Sequence, residues 1–152
     1  MNFIAEVIVI LVFTILMKNL LIYFVIDTPP NLGLFCISAL LSADYVVIPI
    51  DASIYSLRGL DDLLATIDEV RENNEKLRIA GIILNQLNVR TIVGQEVEKE
   101  IRKRFSKLYL GFVKQSVRAR ETAFMRRPNV KLYEGVFKEL EVRIFGEKER
   151  LD

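Results

Sequence analysis

The residues with the clearest chemical potential follow an apolar run: Leu20–Ile26 leads into Asp27, Thr28, Pro29, Pro30, Asn31, Leu32 and Gly33. A carboxylate at the end of a buried strand can hold Mg²⁺ directly or through water. The two prolines fix φ and stiffen the turn, and Gly33 is expected to permit backbone geometry that other residues resist. A plain strand-ending turn can be built from the same residues. The chain has no His and one Cys, so soft-ligand metal centres are excluded and Mg²⁺ held by oxygen is the natural metal. Cys36 cannot form an intramolecular disulfide and reads as a small buried hydrophobe, so a reducing, cytoplasmic setting is expected.

Such a loop needs a scaffold. With 152 residues, 51% hydrophobic and 27% charged, the chain can bury a real core, and disorder is excluded. Leu20–Ile26, Tyr45–Ile50, Ile79–Leu84 and the weaker Tyr109–Val113 are short runs rich in Val, Ile and aromatics, the pattern of strands covered on both faces. Helical stripes alternate with them: Leu60, Leu63, Leu64, Ile67 and Val70; then Val93, Val97, Ile101 and Phe105; then Tyr133, Val136, Phe137, Leu140 and Ile144. The alternation predicts a doubly wound, mostly parallel α/β sheet with helices on both faces. Ligands of such sheets collect beyond the carboxyl ends of the strands, which singles out the loops after Ile26, Ile50, Leu84 and Val113.

The first 19 residues form an atypical apolar segment ahead of an α/β domain over 20–152. Lys18 and Asn19 interrupt the apolar run, and Glu6 closes its start. These residues fit a buried helix or strand better than a membrane span of roughly 20 apolar residues. A signal peptide is a poor fit, since no positive charge precedes the run.

The net charge of +1 hides a segregation. Residues 61–75 carry Asp61, Asp62, Asp68, Glu69, Glu72 and Glu75 against Arg71 alone. Residues 114–131 carry Lys114, Arg118, Arg120, Arg126, Arg127 and Lys131 against Glu121 alone. Such polarity can steer a charged partner, and a solvated surface has the same composition.

Tyr23-Phe24-Val25-Ile26-Asp27-Thr28-Pro29-Pro30-Asn31-Leu32-Gly33 resembles the switch II segment of the ParA/Soj/MinD family of deviant-Walker partition ATPases. Ala43–Ile50, then Ser56-Leu57-Arg58-Gly59-Leu60, Gly81–Asn85 and Arg90-Thr91 are similar to the same family in order and spacing. Ser116-Val117-Arg118 with Glu121, and Arg127-Pro128, resemble its penultimate loop less closely. The likeness covers roughly 20–145 and implies a P-loop NTPase-like fold, ATP and Mg²⁺ as cofactors, ATP-dependent dimerisation, nonspecific DNA binding and a ParB-like partner.

Residue by residue, the resemblance makes Asp27 the catalytic carboxylate that orients Mg²⁺ through water. Pro29, Pro30 and Gly33 become the γ-phosphate sensor, and Thr28 a cofactor-binding residue of the same loop. Asn85 falls on the adenine side because its amide offers both donor and acceptor, a role that competes with capping the turn after its strand, and Gln115 is a further cofactor-binding residue. Asp51 falls near the dimer face, while Tyr55, Phe112 and Phe124 read as core or pocket wall. Arg118, Arg120, Arg126, Arg127 and Lys131 fall on the DNA-facing side, joined by Lys99, Arg102, Lys103 and Arg104. Two departures stand out. No glycine-lysine phosphate loop is present, since residues 1–17 contain neither residue, and Lys114 replaces a frequent proline. Phosphoryl transfer rests on positioning and charge neutralisation, so hydrolysis by this chain alone is not expected. The alternatives are a non-catalytic module that pairs with a full-length relative, and a MinD-like protein anchored to membrane by its apolar start.

Overall fold

The computed structural model describes residues 10–17, 20–29, 31–116 and 130–146. Five strands, β1 (Ile10–Met17), β2 (Leu20–Asp27), β3 (Tyr45–Asp51), β4 (Arg78–Leu87) and β5 (Tyr109–Lys114), form one sheet in the order β2-β1-β3-β4-β5. Among the described residues four helices accompany them: α1 (Leu34–Ser42), α2 (Ile54–Arg71), α3 (Ile92–Arg104) and α4 (Glu134–Phe145). A short 3-10 turn, Val130–Leu132, precedes α4.

Helices cover both faces of β3, β4 and β5, which is why these strands read as continuous apolar runs, whereas Phe24 and Val25 of β2 are exposed. Alternate residues of β3 divide between the layers: Val46, Ile48 and Ile50 join the core with α1, α2 and α3, whereas Val47 meets Ala80 and Ile144. A bulge opposite Val46 and Val47 shifts the phase of β4, so Ile82 and Leu84 face the larger core and Ile83 the smaller ones. The doubly wound α/β architecture expected from the sequence is present.

The exception to parallel order is β1. It pairs antiparallel with β2 along its whole length, from Ile10↔Asp27 to Met17↔Leu20, but with β3 only through Ile10, Leu11 and Val12. Both β2 and β3 oppose β1, so β2 runs in the same direction as β3, β4 and β5. Only positions 18 and 19 separate the paired ends of β1 and β2, the spacing of a tight hairpin. The apolar run before Lys18 is therefore strand over Ile10–Met17, and no helix among the described residues is long and apolar enough to cross a membrane.

Local hydrogen bonds fix the connections. Ser53 Oγ accepts from the Ser56 amide at 3.2 Å and Thr91 Oγ1 from the Gly94 amide at 3.1 Å, capping α2 and α3. Asn74 Nδ2 donates to Leu40 O at 2.9 Å and Ala43 O at 2.8 Å, tying the turn after α2 to the end of α1. The Arg143 guanidinium holds α4 on the sheet by donating to Lys107 O at 2.8 Å and Tyr109 O at 2.9 Å.

Of the helical stripes, Leu60, Leu63, Ile67, Val70, Val97, Ile101, Val136 and Ile144 are buried. Val93, Phe137 and Tyr55 depart from the expectation of core or pocket wall, being 51%, 50% and 67% exposed. Val93 lies in the first turn of α3, beside Leu57 and Ile92 in an open groove rather than under the sheet.

Candidate functional site

Asp27 is the last residue of β2 and is exposed to solvent. Thr28, next in the chain, is 5% exposed and hydrogen-bonded to the buried Cys36 of α1. Burial pushes the Cys36 thiol up from its ordinary range, and the Thr28 hydrogen bond partly opposes this. One face of the loop is thus anchored while the neighbouring carboxylate stays open. The Asn31 amide donates to Pro29 O at 2.7 Å, and Asn31 Oδ1 accepts from the Gly33 amide at 3.1 Å. Pro30 lies outside the described residues.

Gly33 has φ −80 and ψ −177, which any residue adopts. A Cβ there would lie 2.8 Å from Asn31 Oδ1, the end of an exposed side chain that can turn aside, so neither backbone angle nor space demands glycine here. Gly33 also precedes α1, whose amino end has no side-chain cap, so first-turn amides without intrahelical partners lie a few residues from Asp27. A carboxylate beside uncapped helix amides can serve a cation and the anion it accompanies.

A second group of residues gathers where β4 and β5 end. β4 continues past Leu84 to Leu87 through an irregularity at Gln86, whose φ of 51 is left-handed, so Asn85 is inside the strand and does not cap the turn. Asn88 performs that task, its Oδ1 accepting from the Arg90 amide at 3.1 Å. Asn85 is half-buried and stands opposite Asp51 in the parallel register. The Gln115 amide donates to Leu87 O at 3.0 Å, which brings Gln115 to the same corner. Gln86 was not legible as special, because nothing in the sequence marks a glutamine for a left-handed backbone.

The sheet order separates Asp27 from Asn85 by three strand positions, about 14 Å at ordinary strand spacing. Ile10 pairs with both Asp27 and Val47, so β3 continues four residues, about 13 Å, beyond the level of Asp27 before ending at Asp51. Each lies at the carboxyl end of its own strand, but β2 ends level with the amino-terminal half of β3, so loop and corner are not level with one another. Among the described residues no group of three or more His, Cys, Asp or Glu could hold a metal. A Mg²⁺ at Asp27 would draw its other oxygens from water and phosphate, the usual arrangement for that ion.

The basic candidates divide. Arg118, Arg120, Arg126 and Arg127 lie outside the described residues, and Lys131 is exposed in the turn before α4. On α3, Lys99 pairs with Glu96 at 3.7 Å and Arg102 with Glu98 at 2.9 Å, while Arg104 pairs with Asp61 of α2. Arg102 also lies 4.5 Å over the Tyr109 ring. Lys103 alone of the four has no ion pair among the described residues, so this helix offers less open positive charge than its composition suggests.

Comparison with known proteins agrees with this architecture. The AAA domain family model AAA_31 matches residues 13–79. The sporulation initiation inhibitor protein Soj of Bacillus subtilis is 40% identical over 108 residues, 70% of this chain and 43% of that protein. The chromosome-partitioning ATPase Soj of Thermus thermophilus is 38% identical over 98 residues, 63% of this chain and 39% of its own length. A plasmid partition protein from Borrelia burgdorferi superposes with a TM-score of 0.55 at 25% identity, covering 80% of this chain and 44% of the other. The chain thus spans about two fifths of the length of the curated relatives it matches. In sequence and in fold, the chain is a ParA-family ATPase-like protein.

Proposed function

We propose that the chain serves ParA-like partitioning and supplies the Mg²⁺ side and the base side of a nucleotide site. The observation that carries this reading is the loop at the carboxyl end of β2, where open Asp27 precedes the uncapped start of α1, with Asn85 and Gln115 gathered at the carboxyl ends of β4 and β5. Asp27 would orient Mg²⁺ through water. Thr28, Pro29, Pro30 and Gly33 would sense the terminal phosphate, and Asn85 and Gln115 would receive the adenine. Nucleotide-dependent pairing, with itself or with a full-length relative, would bring Arg118, Arg120, Arg126, Arg127 and Lys131 to DNA phosphates, under control of a ParB-like partner.

Nuclear magnetic resonance titration of the chain with Mg·ATP tests the reading. Without a glycine-lysine loop the affinity should be weak, with Kd of about 1 mM or above. Shifts should concentrate at Thr28, Gly33, Leu34, Asn85 and Gln115. Turnover by the chain alone at micromolar affinity, or shifts confined to other regions, would overturn the assignment.

A further inference from the structure

We propose that the amino ends of β3, β4 and β5 form a second ligand site, a receptor for phosphate groups, at the end of these strands opposite Asn85 and Gln115. A cavity of about 350 Å³ opens there, lined by Arg71, Arg78, Lys107 and Arg143 together with Tyr45. Among the described residues no Asp or Glu contributes to its lining. Its size falls in the range of small-ligand pockets, and four cations around it select against an apolar occupant.

The cations are held in place largely by neutral groups. Arg71 Nε donates to Leu77 O at 3.2 Å, and one Arg78 terminal nitrogen donates to Glu75 O at 2.6 Å. Arg143 is fixed by its bonds to Lys107 O and Tyr109 O. Carbonyl acceptors orient a guanidinium without cancelling its charge, leaving preorganised donors for a tetrahedral oxyanion. The two carboxylates that do reach the group act on its rim: Asp68 pairs with Arg71 at 2.9 Å, and Glu139 lies 3.4 Å from Arg143. Arg78 and Lys107 have no ion pair among the described residues. Holding α4 to the sheet accounts for Arg143 but leaves Lys107 and the charge of Arg78 unexplained. Convergent guanidinium and ammonium groups of this kind recognise phosphoryl oxygens, whether of a free polyphosphate or of a nucleic-acid backbone.

The site is separate from the nucleotide edge, so its test does not depend on that assignment. The intact chain is titrated with pyrophosphate by nuclear magnetic resonance, and in parallel the double variant Arg78→Ala/Lys107→Ala, whose replaced side chains are exposed and whose fold should survive. Shifts at Tyr45, Ile79, Leu108 and Arg143, with affinity at least tenfold weaker in the double variant and unchanged in Asp27→Ala, are expected. A short DNA duplex added to the complex distinguishes the source: displacement of pyrophosphate assigns the site to a nucleic-acid backbone, and failure to displace assigns it to free phosphates. No shift at these amides by about 10 mM pyrophosphate, or equal affinity in the double variant, would overturn the site.

Discussion

Asn74 is the test of how the helical layer is held together. Its side-chain amide donates two hydrogen bonds, at 2.9 and 2.8 Å, to the carbonyls of Leu40 and Ala43, more than thirty residues away at the end of α1. At the same helix terminus the Ser42 hydroxyl donates to Ser38 O and Ala39 O, so Asn74 is the side chain that serves Leu40 O and Ala43 O. Replacing Asn74 by Ala leaves both acceptors with only water. Each orphaned group costs about 1–3 kcal/mol when fully buried, and Asn74 is only part-buried, so about 2 kcal/mol for the pair is expected. With a urea m-value of about 2 kcal/mol/M, the midpoint should fall by about 1 M. The neighbouring Asn73, exposed and without a side-chain hydrogen bond, is the control, and Asn73→Ala should stay within about 0.5 kcal/mol of the native chain. Equal midpoints for the two variants would refute the reasoning, because the crosslink to α1 is the property that separates the two positions.

Three further outcomes follow from particular groups. The Tyr109 phenol is pushed far up from its ordinary value of 10.0 by burial and then by Glu98, so the unfolded chain ionises first and stability should fall as pH rises above about 10. Tyr109→Phe should flatten that decline, and an unchanged slope in urea midpoint against pH would show that the phenol is not its source. In a ParA-family protein carrying both this loop and a glycine-lysine loop, Asp27→Ala should cut ATP turnover strongly while leaving the fold intact, as followed by steady-state hydrolysis and thermal unfolding. Paired with a nucleotide-competent relative, the chain should bind two unrelated DNA duplexes equally, and Arg118→Ala or Arg127→Ala should each reduce the salt slope in fluorescence anisotropy by about one unit.

The parallel strands and their order of appearance were legible because burial on both faces demands unbroken apolar runs, as in Val46–Ile50. The loop at Asp27 was legible for a related reason, since a carboxylate and prolines abruptly end such a run. The placement of β1 between β2 and β3 was not, because pairing partners are set by tertiary register and not by local pattern. The expectation that Gly33 supplies unusual backbone geometry failed, since its φ of −80 is open to any residue. Arg102 and Arg104 looked like free positive charge in the sequence, but their carboxylate partners lie one turn away on α3 and across on α2. Of the two readings the sequence offered for Asn85, the one in which it caps a turn failed because an irregularity at Gln86 carries β4 past it.

The central claim is that Asp27 marks the Mg²⁺ side of a nucleotide site and Asn85 its base side. The most direct measurement is the Mg²⁺ dependence of ATP affinity in the native chain, Asp27→Ala and Asn85→Ala, followed by nuclear magnetic resonance at millimolar nucleotide. Affinity in the native chain should rise with Mg²⁺, Asp27→Ala should lose that response, and Asn85→Ala should bind more weakly at every Mg²⁺ concentration while keeping it. A Mg²⁺ response in Asp27→Ala equal to that of the native chain would contradict the account.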